Sequence, residues 1–400
     1  MWIYILFFLV AFMAFCGGGK ENRSKVFLMI YTGALALFVG CSDMLGGYDR
    51  YIYAELFDSM ANDINFGLPM TSSYAFAFYE VGYSFIAWMC AHITENRYIY
   101  ILIVTLLIYF NIYKTFERHA TNYPFAFIVF FGMMFFFTFT YLRQVIGVSV
   151  AWLRIRYLLD RKRVMFFAMM IVVALIHKSG IVFAAMYFIP IRKYSKGFVI
   201  LALLACAVVG MSGFTATLYD VYMESRDELE FMGSNLGYQT GYSEIQGSRI
   251  AYLLEVLFFA GLILLNYDKI KPTRENMIFL NMAWCFCALL LLFIRSENGG
   301  RMAWLFAFGI IYIVTLIATA KNESSSAVSP IGLMASVVFF ALYLRILIFW
   351  GVTLAPYKTF FSNGSRQGDF IYEQYEYDHR YDEDKFYRPA FRFISKTDDY

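Results

Sequence analysis

Long apolar runs follow one another along most of this chain, and the short links between them carry nearly all of its charge. A bilayer-crossing helix needs about 20 mostly apolar residues. The runs fall at residues 2–16, 26–41, 81–92, 98–113, 123–141, 145–159, 164–175, 181–191, 198–218, 250–266, 277–294, 302–320 and 331–350. Their number predicts an all-α polytopic membrane protein of about 11–13 transmembrane helices. Composition agrees: 60% of residues are hydrophobic and only 16% are charged, against about 25% charged in soluble chains. A net charge of +3 is too small to mark a nucleic-acid binder. The first run resembles a signal peptide, but it lacks a basic start and a small-residue cleavage pattern, so it reads as a retained first span.

The links sort by charge. Residues 20–25, 154–163, 192–196 and 269–274 are basic and are expected in the cytoplasm by the positive-inside rule. Residues 42–79 and 219–248 are acidic and are expected as outer-face loops, along with Arg143, His177 and Arg301. Counting crossings from the two ends leaves a mismatch of one between residues 42 and 123. A re-entrant stretch over 64–79 would repair it. The expected organisation is a polytopic domain over 1–351 followed by a soluble, Tyr-rich, solvated or carbohydrate-facing tail over 352–400.

Ionisable groups at the edge of apolar runs cost several kcal/mol unless they pair or face water, which makes them functional candidates. Arg143 and Gln144 stand between two runs, His177, Lys178 and Ser179 interrupt another, and Glu80 opens a third. Arg295, Glu297 and Arg301 crowd one short link, with Arg249 at the edge of an earlier run. Arginines at one face suit a diphosphate, because guanidinium binds phosphate oxygens bidentately and keeps its charge. Arg143, Arg249 and Arg301 are the candidates for that role. His177 has the pKa range of a general base, or it could bind a phosphate. Asp49, near Tyr53 and flexible glycines, is a second candidate base or an acceptor-sugar ligand. The aromatic excess of 44 Phe and 32 Tyr suggests ring-lined helices and loops able to stack on sugars. Six cysteines sit in or beside apolar runs and read as small buried residues. No His, Cys and carboxylate cluster has ligand spacing, so no metal and no cofactor are expected.

The order of these pieces resembles the EpsG/Wzy-type polysaccharide polymerases of bacterial envelopes. The resemblance rests on Asp49 and Tyr53, on Glu80, Gly82 and Tyr83, on Arg143 and Gln144, on His177 and Ser179, on Arg301, and on Pro356 and Tyr357. It implies a GT-C-like helical fold in the bacterial inner membrane with its active site at the outer face. The implied reaction takes a growing glycan from undecaprenyl diphosphate and joins it to a sugar hydroxyl of the next lipid-linked repeat unit. Arg143, Arg301 and Arg249 would then stabilise the leaving diphosphate. His177 would accept the hydroxyl proton or bind the diphosphate. Asp49 and Glu80 would hold or deprotonate the acceptor sugar, with Tyr53, Gln144, Ser179 and Glu297 also contacting substrate. A flippase and a chain-length regulator are the implied partners. An O-antigen ligase or another lipid-linked glycosyltransferase would use the same arginines with a different acceptor. A flippase or transporter is the rival of another class, and it predicts charges spread across the membrane depth rather than gathered at one face.

Overall fold

The computed structural model describes residues 1–17, 24–43, 48–78, 80–219, 250–296, 299–319, 328–349, 351–364 and 380–393. The protein is an all-α polytopic membrane protein. Its first twelve helices are α1 (Trp2–Cys16), α2 (Lys25–Gly40), α3 (Tyr48–Asn65), α4 (Tyr74–Phe78), α5 (Val81–Ile93), α6 (Arg97–His119), α7 (Tyr123–Met133), α8 (Phe137–Thr140), α9 (Leu142–Leu153), α10 (Ile155–Leu159), α11 (Arg163–Ile176) and α12 (Lys196–Met211). Later helices include Ile250–Leu265, Arg274–Leu292, Ala307–Ala318 and Pro330–Phe349. Among the described residues, four helical stretches are long and apolar enough to cross a membrane, and seven shorter apolar helices accompany them. Polar caps set where several of them begin. The side chains of Ser24, Asn96, Asn122, Ser195 and Thr273 accept backbone N–H bonds from the first turns of their helices.

The chain divides into two units. The first comprises Met1–Leu153, Ile171–Gly180 and Glu323–Tyr400, and the second Arg154–Met170 and Ile181–Asn322. In the first, much of the aromatic excess is core rather than sugar-stacking loop. Tyr4, Phe8, Phe131, Phe135, Phe136, Phe139 and Tyr343 pack ring against ring around α1, α7 and Pro330–Phe349. Buried phenols need partners. Tyr4 donates to the Leu354 carbonyl at 2.7 Å, and Tyr343 donates to the Tyr4 carbonyl at 2.8 Å. In the second unit, Gly309 lets its helix press on Arg274–Leu292, since a Cβ there would lie 2.5 Å from the Ala283 backbone nitrogen. Small residues serve helix contacts in lipid in this way. Tyr312 stacks on Phe279 beside that contact and donates to Asn276 at 2.8 Å.

Within the first unit, α2 and α6 run antiparallel. Lys25 at the start of α2 pairs with Glu117 near the end of α6 at 3.2 Å. At the opposite end, a Cβ on Gly40 would touch Leu102 and Thr105 in the first half of α6. Helix α9 follows α6 downward, with Asn111 donating to the Ser149 hydroxyl at 3.1 Å. Arg143, six residues earlier, is roughly level with Thr105, and at a rise of 1.5 Å per residue that is about 12 Å from the Arg97 end.

Helix α5, one of the shorter apolar helices, is separated from α6 by three residues. Over 64–79 the described elements are the end of α3, the 3-10 turn Met70–Ser72 and α4.

The expected solvated tail is corrected, because its described part is packed. Lys385 pairs with Asp43 at 3.3 Å with both side chains almost fully buried. Tyr381 is 1% exposed and donates to Asp58 at 3.1 Å. Arg97 binds the other oxygen of Asp58 and stacks its guanidinium 4.3 Å from the Tyr381 ring centre. A Tyr-rich stretch without an apolar run gave no hint of this. Tyr381 is buried against charges on α3 and α6, and Lys385 against Asp43 just after α2.

Candidate functional site

Three breaks in apolar helices meet in the first unit. The first is the start of α5. Glu80 is buried immediately before its first turn, and Gly82 lies so close to α11 that a Cβ would sit 2.8 Å from the Leu175 carbonyl carbon and oxygen. Only glycine permits that approach, which accounts for the Glu-x-Gly-Tyr pattern. The second is the start of α9, where Arg143 donates through Nη1 to Glu80 Oε2 at 3.0 Å. The third is the end of α11, where the chain leaves the α-helix at His177 and continues as the 3-10 helix Lys178–Tyr187. There the Lys178 backbone N–H donates to Glu80 Oε1 at 3.3 Å.

Both oxygens of Glu80 are thus engaged, and the carboxylate ties α5, α9 and the α11 break together. The Arg143 side chain keeps 14% of its surface exposed, against 4% for Glu80. One helical turn beyond Arg143, a Cβ on Gly147 would lie 3.4 Å from His177 Cβ, so His177 belongs to the same cluster. The His177 Nδ1 and the Ser179 hydroxyl are 2.7 Å apart, which fixes the ring's orientation. Gln144 is buried on the first turn of α9.

Helix α3 supplies the fourth side. Asp49 and Tyr53 are four residues apart, hence on one helix face, and Asp49 lies in the first turn, where the helix dipole favours an acid. Burial, and then the Asp49 carboxylate, hold the Tyr53 phenol well above the ordinary tyrosine range, while the neighbouring Arg143 opposes them. Tyr53 therefore stays a neutral phenol. Its ring centre lies 5.8 Å from that of Tyr83. Tyr100 donates to the Tyr83 hydroxyl at 2.8 Å and stacks on Phe57 at 4.1 Å, linking α3, α5 and α6.

Asp49, Tyr53, Glu80, Arg143, His177 and Ser179 all lie in the first unit. Arg301 belongs to the second unit, on the 3-10 turn Gly299–Phe306 at the head of a span. Arg249, Glu297 and nearly all of the expected 219–248 loop lie outside the described residues. Lys178, whose side chain is exposed, contributes its backbone amide, a role no side-chain pattern announces. Arg50 is a different case. Fully buried, it donates to the carbonyls of Val39, Ser42 and Phe139 at 3.1–3.2 Å. Burial lowers its guanidinium to about 10, so it stays charged at neutral pH and holds α3 to the ends of α2 and α8. Tyr357 also packs rather than reacts, stacking on Phe38 at 4.4 Å and donating to its carbonyl at 2.8 Å. No group of three or more His, Cys, Asp or Glu side chains among the described residues is arranged to hold a metal ion.

The family model that matches this chain is EpsG, over residues 25–359. The chain belongs to the EpsG family. The EpsG match contains every member of the cluster and ends before the packed tail segment at 380–393. No curated protein and no solved structure matches the chain.

Proposed function

We propose that this EpsG-family protein polymerises lipid-diphosphate-linked oligosaccharide repeat units, working from a GT-C-like helical fold at the outer face of the bacterial inner membrane. The observation that carries the reading is the Arg143–Glu80 pair, assembled at three helix breaks beside His177 and inside the family-matched region.

In this reading the acceptor hydroxyl attacks the anomeric carbon of the donor glycan. The new glycosidic C–O bond forms as the bond to the undecaprenyl diphosphate breaks, and the diphosphate leaves with the electron pair. Arg143 stabilises the charge that grows on it. Glu80, held at both oxygens, orients Arg143 rather than the sugar. With Nδ1–H donating to Ser179, His177 Nε2 carries the lone pair that takes the hydroxyl proton. Asp49 and Tyr53 hold the acceptor sugar from α3. Arg301 is a second candidate for the diphosphate as an arginine opening a span. A flippase would supply the lipid-linked donor, and a chain-length regulator would act on the product.

The test is the purified protein in bilayers with a lipid-diphosphate repeat unit, read by mass spectrometry. Products of two or more repeats with release of free lipid diphosphate support the proposal. Unchanged repeat units with wild-type protein contradict it. Transfer to a non-repeat acceptor only would make the protein a ligase.

A further inference from the structure

Helices α3 and α5 carry Tyr53 and Glu80 near their N-terminal ends, and both climb from the site toward the Arg97 end of the unit. Their far ends converge on one residue outside the family-matched region. Arg392 donates through Nη2 to the Ala61 carbonyl at 3.1 Å and through Nη1 to the Asn65 side chain, both on the last turns of α3. It also donates through Nε to the Ala91 carbonyl, and its backbone N–H donates to the Ile93 carbonyl at 2.9 Å, both at the end of α5. Glu95, just beyond, pairs with it at 2.7 Å. A cation on terminal carbonyls is the favourable complement of a helix C-terminus. Here one guanidinium serves two helices, and its rigid planar fork fixes the directions of those bonds, which a rotatable ammonium does not.

The surrounding segment holds Arg392 in place. Asn96 donates to the carbonyls of Lys385 and Arg388 at 2.8 and 3.0 Å. Tyr381 and Lys385 anchor to Asp58 and Asp43.

We infer that Arg392 is a positioning residue: it fixes the spacing of α3 and α5 and thereby sets Tyr53 and Asp49 against the Glu80–Arg143 pair. This rests on the proposed function for what the site does, and on the structure for the clamp itself. A shift of about 1 Å in a catalytic constellation can cost on the order of 100-fold, so a loosened clamp would be felt in turnover.

The test uses full-length protein in its membrane. A cysteine reporter at Ala61, fully buried under Arg392, is combined with Arg392→Ala, Arg392→Lys, Tyr381→Phe or Arg143→Ala. Expected results are a roughly 10–100-fold loss of polymer in Arg392→Ala at unchanged protein level, a raised apparent KM for the acceptor, and faster labelling of the reporter by a thiol reagent. Arg392→Lys should fail to rescue, whereas Tyr381→Phe, which keeps its ring on Arg97, should retain most activity. If Arg392→Ala reduces abundance, Arg392→Lys, with its charge and stem, carries the same comparison. Full polymer and an unlabelled reporter in Arg392→Ala, beside an inactive Arg143→Ala control, overturn the clamp. Full polymer from Arg143→Ala instead overturns the functional reading on which the clamp's catalytic role depends.

Discussion

Two arginines of this chain have opposite jobs, and their partners distinguish them. Arg50 satisfies three buried backbone carbonyls, and each carbonyl left orphaned costs about 1–3 kcal/mol. Arg50→Ala should therefore sharply reduce the folded protein recovered from membranes, measured by immunoblot and gel filtration. Arg143 pairs with a side chain and keeps part of its surface exposed. Arg143→Ala should leave protein level intact and reduce polymer by roughly 100–1,000-fold, the scale of a lost transition-state charge stabiliser. Glu80→Gln keeps the shape but not the charge. It should cost about 10–100-fold in turnover through a misaligned Arg143, and the accumulation of single lipid-linked repeats measures it. Glu80 and Arg143, a buried pair, drew attention in the sequence because an ionisable group at the edge of an apolar run is expensive and must have a reason. Arg50 did not, because a sequence shows an arginine beside an acidic stretch but not the carbonyls at the ends of two other helices. Tyr100 was hidden too, since a buried paired phenol and an interfacial one look alike in a string.

Elements are where close backbone approach decides the outcome. The Gly82 contact with Leu175 brings Glu80 within reach of the Lys178 amide. Gly82→Val forces α5 away from α11 and should abolish polymer while α5 remains helical. Gly82→Ala should give a smaller loss, and a graded series in the polymer ladder checks the steric origin. The break at His177 was readable from two runs too short to cross on either side of it. The ion pair at the start of α5 was not, because a mostly apolar 13-residue helix reads the same whether it begins at a water interface or at a buried Arg–Glu pair.

For the whole molecule, the antiparallel α2–α6 pair puts the Lys25–Glu117 end and the Asn65–Arg392 end on opposite sides of the first unit. Phe66, 81% exposed at the second end, should react as Phe66→Cys with an impermeant thiol reagent in cells whose outer membrane alone is opened. Lys114→Cys, at the basic end, should react only after the inner membrane is breached. Labelling in the reverse order would invert the topology and remove the outer-face site. The polytopic class was plain from hydropathy, because lipid demands long apolar helices whatever the fold. The packed tail was not, because its burial comes from individual ion pairs and phenol bonds rather than from any pattern along the chain.

The most direct test of the central claim is a gel of surface glycan and lipid-linked intermediates from cells lacking the protein, complemented with either the wild-type or the Arg143→Ala chain. The wild type should restore the ladder, and Arg143→Ala should leave single repeat units on the carrier. A full ladder from Arg143→Ala, or long polymer stranded on the carrier without the protein, would contradict that claim.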